Sequence, residues 1–116
     1  MKILVTGGLG HIGSALIDDL LASNNKNKIT VIDNFLSERY CSVFKLRKNK
    51  IHFNFYKIDL SFKSKNLEKL IKQNNIIVHL AAITDATSSF DNPTKVANNN
   101  FKSTSHKIPI CIGKDI

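Results

Sequence analysis

The sequence predicts an α/β protein built on a parallel sheet. Three observations carry that prediction. Short aliphatic and β-branched runs alternate with stretches whose apolar residues recur at helical spacing. A glycine string, TGGLGHIGS at residues 6–14, sits between the first run and the first helical stretch. An acidic residue, Asp33, closes the second run.

Lys2-Ile3-Leu4-Val5-Thr6 reads as a buried strand ended by glycine. Residues 12–23 then change period. Ile12, Ala15, Leu16, Leu20 and Leu21 fall on one helical face, with Ser14, Asp18 and Asp19 turned away. The polar run Asn24-Asn25-Lys26-Asn27 ends that helix. Ile29-Thr30-Val31-Ile32 is a second buried strand, closing on Asp33-Asn34.

Val43, Phe44 and Leu46 suggest a short helix within 35–50. His52 to Tyr56 alternates and reads as a third strand, followed by Asp59-Leu60 in a loop. Leu67, Leu70 and Ile71 mark an amphipathic helix near 65–74. Ile76 to Leu80 is a fourth strand running into Ala81-Ala82. Asn92-Pro93 carries a helix start, an N-cap residue followed by proline, and that helix extends to about Ser105. Parallel strands joined through helices imply right-handed crossovers.

Composition excludes several functions. The chain of 116 residues carries 17 Lys plus Arg against 9 Asp plus Glu, a net charge of +8. The lysines are spread from Lys2 to Lys114 with no aromatic residues interleaved, which reads as a solvated surface rather than a nucleic-acid face. Such a surface still attracts small anions. Cys41 and Cys111 are seventy residues apart, and the four histidines lie at no ligand spacing, so neither a disulfide framework nor a metal is expected. Reduced thiols fit a cytosolic setting. The apolar opening MKILV is interrupted by Gly7, Gly8 and Gly10, and no run approaches a membrane span.

The glycines have a mechanical reading at a strand-to-helix junction. Gly10 and Gly13 allow a tight turn and close packing of helix on strand. Gly7 or Gly8 allows a pyrophosphate to reach the main chain, where the first-turn amides and the helix dipole favour an anion. Two registers are open. Gly8, Gly10 and Gly13 match G-x-G-x-x-G, and Gly7, Gly10 and Gly13 match G-x-x-G-x-x-G. A phosphate loop of the Walker kind fails, because Ser14 stands where the lysine is required.

Asp33 follows Gly13 by twenty residues, the place from which a carboxylate accepts hydrogen bonds from an adenosine ribose. Its charge would repel a 2′-phosphate and favours NAD over NADP. A turn or cap role is the plainer alternative for Asp33, as it is for Asp59. His11 reads otherwise as a surface residue of the loop, His79 as a packed strand-end residue, and Asn100 as a helix residue bonded to backbone.

These residues together resemble the N-terminal part of the extended short-chain dehydrogenase/reductase family, in particular its UDP-glucose 4-epimerase-like, NAD-dependent epimerases and dehydratases of nucleotide sugars. The resemblance covers roughly residues 1–105 and implies a Rossmann-like doubly wound parallel sheet, truncated after about four strands. LVTGGLGHIGS is similar to the family's glycine loop in the register Gly7, Gly10, Gly13, with His11 and Ile12 between them. VIDNF resembles the ribose-contacting segment, which implies roles for Asp33 and Asn34. Asp59-Leu60 stands where the family contacts adenine. HLAA, residues 79–82, resembles the fourth-strand motif, implying that Leu80, Ala81 and Ala82 pass beside the cofactor. Thr84 and Ser89 fall where the family places cofactor or substrate contacts. NNNFKST, residues 98–104, makes Asn100 the matching asparagine, although Phe101 and Ser103 depart from the usual valine and glycine.

The resemblance implies an NAD-dependent enzyme acting on a nucleotide sugar, with a homodimer open to the full-length form. Family catalysis also needs Tyr-x-x-x-Lys. Tyr40 and Tyr56 are followed four residues on by Phe44 and Leu60, so no catalytic residue is assigned. The expected organisation is an incomplete NAD-binding domain over 1–105 and an aberrant or truncated tail over 106–116. Alone, such a chain is expected to be inactive; a non-catalytic dinucleotide-binding sensor is the alternative.

Overall fold

The computed structural model describes residues 1–23, 26–35, 53–82 and 90–105. Within them the chain runs β1 (Lys2–Thr6), α1 (His11–Ser23), β2 (Lys28–Asp33), β3 (Phe53–Lys57), α2 (Lys65–Gln73), β4 (Ile76–His79) and α3 (Pro93–Ser105). The expected helix within 35–50 and the expected tail over 106–116 lie outside the described residues.

The four strands form one sheet in the order β3-β2-β1-β4. Every pairing is parallel. Register is direct: Ile3 to Thr6 pair with Ile29 to Ile32 on one side and with Ile76 to His79 on the other. Pairing also extends past the strands. The Lys28 amide donates to the Met1 carbonyl at 2.8 Å, and the Asn75 amide donates to the Lys2 carbonyl at 2.8 Å.

Both faces of β1 and β2 are covered, which is why successive residues are buried in each, with Thr30 the one polar residue inside the run Ile29 to Ile32. One face carries Ile3, Val5, Ile29 and Val31 against Ile17 and Leu21 of α1. The other carries Leu4 and Ile32 against Leu67, Leu70 and Ile71 of α2, with Leu60 filling the same layer. Full burial of each such side chain contributes about 1.5–3 kcal/mol. The helix face differs in phase from the expectation for α1. Gly13, Ile17 and Leu21 are the buried positions, whereas Ile12 is 73% exposed. The buried positions recur every four residues from Gly13, which lies against the loop, and Ile12 stands about 100° around the helix from that stripe, without a packing partner in the core.

Helix α2 is fixed at both ends by local chemistry. Ser64 is its N-cap, its hydroxyl accepting from the Leu67 amide at 3.0 Å. At the other end the Asn74 amide donates to the Ile71 carbonyl at 3.4 Å, and the Asn74 side chain donates to the Leu70 carbonyl at 2.7 Å. Helix α3 buries only Ser103, while Val96, Asn99 and Asn100 are half-buried. Among the described residues no helix is long and apolar enough to cross a membrane.

Candidate functional site

From β1 the chain moves to β2 and β3 on one side, then crosses to β4 on the other. That reversal splits the connections at the carboxyl ends of β1 and β4, where open α/β sheets form a crevice. The glycine loop leaves β1 at this point, and Leu80-Ala81-Ala82 leaves β4 beside it.

Gly7 adopts φ +72°, a left-handed conformation that strains any residue with a Cβ. A Cβ there would also lie 2.7 Å from the Ala81 nitrogen and the Leu80 carbonyl carbon. The loop and the segment after β4 thus touch backbone to backbone. The loop is held by the Gly7 amide on the Ile32 carbonyl at 2.8 Å and by the Gly10 amide on the Gly7 carbonyl at 3.1 Å. A Cβ on Gly13 would come within 2.8 Å of the Gly8 Cα, so α1 starts directly against the loop.

Gly10 differs from these. A Cβ there would meet only the Gly7 carbonyl oxygen, at 3.3 Å, and otherwise open space. The sequence assigned the close approach of an anion to Gly7 or Gly8. In the structure the side chain missing at Gly7 makes room for the Leu80-Ala81 backbone, and the one missing at Gly8 for Val31 and Ile17. Gly10 is the glycine whose bare face is directed outward. Beside it, among the described residues, the amides of Ile12 and Gly13 have no protein acceptor, as geometry requires of a first helical turn.

Asp33 stands at the end of β2 with 9% of its surface exposed. Its Oδ2 accepts from the Leu9 amide at 3.0 Å and its Oδ1 from the Phe35 amide at 2.9 Å. The carboxylate therefore braces the glycine loop from the neighbouring strand. An ionised carboxylate has roughly four acceptor positions, so two remain for a further donor. Phe35, next in the turn after half-buried Asn34, takes φ 59°. Its ring packs 5.3 Å from that of Phe55 and lies 5.7 Å from the Lys57 ammonium.

The other expected residues fall around this centre. Asp59 bends its own turn, Oδ1 accepting from the Ser61 amide at 2.9 Å and the Ser61 hydroxyl at 2.6 Å. Leu60 is buried in the α2 layer. Leu80 packs on the α1 layer and Ala81 on the α2 layer, while Ala82 and His11 are exposed. Asn100 is half-buried on α3, its carbonyl accepting from the Ser103 and Thr104 hydroxyls. Thr84 and Ser89 lie outside the described residues.

Sequence reasoning missed Leu9, which is fully buried and whose amide takes the Asp33 bond. A backbone donor leaves no trace in residue type. It also missed the pairing of Thr6 with His79, whose signal lay in the strand order. Among the described residues no group of three or more His, Cys, Asp or Glu is arranged to hold a metal ion.

The family model described as GDP-mannose 4,6 dehydratase matches residues 4–108. A dTDP-D-glucose 4,6-dehydratase of Dictyostelium discoideum is 34% identical over 115 residues, covering 95% of this chain and 26% of that protein. A UDP-glucose 4-epimerase of Mycoplasma genitalium is 35% identical over 104 residues, covering 89% of this chain and 29% of that protein. Among solved structures, the UDP-Glc/GlcNAc 4-epimerase of Campylobacter jejuni superposes with a TM-score of 0.81 at 31% identity, over 96% of this chain and 33% of its own. The UDP-glucose 4-epimerase of Thermus thermophilus, solved as a complex with NAD, gives a TM-score of 0.76 at 27% identity, over 96% of this chain and 33% of its own. The chain thus spans about a third or less of the length of these relatives. The sheet order, the glycine loop braced by Asp33 and the match over residues 4–108 agree: the chain belongs to the GDP-mannose 4,6-dehydratase family, among the epimerases and dehydratases of the extended short-chain dehydrogenase/reductase type.

Proposed function

We propose that this chain is the NAD-binding portion of an enzyme that epimerises or dehydrates a nucleotide sugar. One observation carries the reading above the others: the buried carboxylate of Asp33 holds the Leu9 amide of the glycine loop. That bond brings an acid suited to ribose hydroxyls and a loop suited to a diphosphate into one rigid unit.

In this reading Gly10 gives the diphosphate access to the main chain, between Gly7 and Gly13, which hold the bend. The amides of Ile12 and Gly13 donate to it, aided by the helix dipole. His11 flanks the same turn. Asp33 accepts from the ribose through its remaining lone pairs, with Asn34 beside it. The backbone at Asp59-Leu60 borders the adenine, and Leu80, Ala81, Ala82, Thr84 and Asn100 border the nicotinamide half. When bound, NAD supplies a reversible hydride acceptor. The chain's own residues bind and orient it.

Residues 1–105 form the binding unit in this proposal, and 106–116 lie outside it. The relatives' printed substrates, UDP-glucose and dTDP-glucose, point to a nucleotide sugar for the full-length form. That form is a cytosolic homodimer in this reading. The 116 residues contain no Tyr-x-x-x-Lys, so they bind without turnover. The same observation favours a second reading, a non-catalytic dinucleotide sensor. A reading frame continuing into that motif would exclude it.

The test is isothermal titration calorimetry of the chain with NAD and with NADP. NAD is expected to bind, and NADP to bind more weakly because its 2′-phosphate meets the Asp33 carboxylate. Equal binding of the two, or none of NAD, defeats the reading.

A further inference from the structure

Three elements meet at one imidazole. Thr6 ends β1 immediately before the glycine loop, His79 ends β4 immediately before Leu80, and Thr104 lies on α3 one turn after Asn100. The strand register sets Thr6 opposite His79. Thr6 Oγ1 lies 2.6 Å from His79 Nδ1, and His79 Nε2 lies 3.0 Å from Thr104 Oγ1. Thr6 is fully buried.

The direction of these bonds follows from counting protons. A threonine hydroxyl has one proton to give. That of Thr104 goes to the Asn100 carbonyl at 3.0 Å, the usual back-bond of a helical threonine. Thr104 Oγ1 must then accept from His79, which places a proton on Nε2. In the neutral ring Nδ1 is left as an acceptor, and the buried Thr6 hydroxyl donates to it. The chain of donation runs Thr6, His79, Thr104, Asn100 carbonyl.

We propose that His79 is a positioning residue whose neutral Nε2–H tautomer locks α3, with Asn100, to the strand end that carries the glycine loop. Helix α3 needs such a lock, because its half-buried stripe is largely polar and Ser103 is its one buried position among the described residues. Among the described residues, Val96 is the one apolar side chain of the helix that is even half-buried. Directional bonds through one ring fix its height and rotation against β1 and β4. The consequence for cofactor binding rests on the function proposed above; the lock itself does not.

The experiment is long-range ¹H–¹⁵N NMR of the imidazoles in this chain, without ligand, in the unsubstituted, Thr104→Val and Thr104→Ser forms. The unsubstituted chain is expected to show His79 as the Nε2–H tautomer. Thr104→Val should let the two tautomers exchange and shift the amide resonances of Thr6 and Gly7 at the far end. Thr104→Ser should restore both. An Nδ1–H ring in the unsubstituted chain overturns the proposal. So does a Thr104→Val change confined to α3, or one that serine does not rescue. Titration of the same samples with NAD should show affinity about fivefold weaker in Thr104→Val, the worth of one hydrogen bond. Unaltered affinity alongside a shifted tautomer overturns the positioning role, and absence of NAD binding by the unsubstituted chain defeats the proposed function while leaving the imidazole result to stand.

Discussion

Replacing Gly7 by alanine should unfold the site, whereas the same change at Gly10 should leave it standing. At Gly7 two penalties combine. The left-handed φ of +72° costs a residue with a Cβ about 1–2 kcal/mol. The new methyl carbon would sit 2.7 Å from the Leu80 and Ala81 backbone, which cannot rotate away as a flexible side chain could. Forcing such an overlap costs about 1–3 kcal/mol. The sum, about 2–5 kcal/mol, is a large share of the 5–15 kcal/mol typical of a whole domain. At Gly10 the methyl meets one carbonyl oxygen at 3.3 Å, so the loss should stay below about 1 kcal/mol. Urea denaturation followed by circular dichroism measures both. Gly7→Ala should lower the midpoint by about 1–2 M at an ordinary slope, and Gly10→Ala by a small fraction of that. Gly10→Ala should nevertheless weaken NAD binding in calorimetry, because its Cβ enters the space left for the ligand. Equal stability of the two variants would refute the division of labour among the glycines.

Asp33→Asn should destabilise the chain by about 1–3 kcal/mol in the same denaturation assay, because an amide can accept only through one atom and its NH2 would oppose the Leu9 or Phe35 amide. Ser64→Ala should cost about 1 kcal/mol by removing the cap on α2, and Ser64→Asp should recover most of it. The Lys72 ammonium, first by its 2.7 Å hydrogen bond and then by its charge, holds the exposed Glu68 carboxyl below its ordinary range. Its stabilising contribution is therefore full above the unfolded glutamate pKa and fades as pH falls through the lowered folded value; NMR titration should show Glu68 returning to the ordinary range in Lys72→Met.

The legible part of this fold was the part governed by period and punctuation. Ile3 to Val5 is a continuous apolar run, and Ile29 to Ile32 is broken only by Thr30, because both faces of a central parallel strand are covered. Asn92-Pro93 announced α3 through cap chemistry that acts within a few residues. Helix α1 was found, but its buried face was shifted, since residue type cannot show that the stripe begins at Gly13 and leaves Ile12 exposed. The loop was legible as a glycine pattern and the acid as a spacing. Which glycine meets backbone and which meets open space was not, because the difference arises from Leu80-Ala81, more than seventy residues further along the chain. Likewise Asp33 was assigned outward to a ligand, while two of its bonds run inward to amides that any residue could supply.

The position of β1 between β2 and β4 also has a meaning for the order in which the molecule assembles. Its β2 side can pair once residue 33 has formed, but its β4 side and the Lys2–Asn75 bonds close a span of 73 residues. At ordinary rates of translation β4, ending at His79, emerges about 2–9 s after residue 33. For that interval β1 has one flank open, and long-range parallel closure is slow even when its partner is available. The glycine cradle, which leans on Leu80 and Ala81, is thus completed only after β4 has been made, although its glycines precede β2.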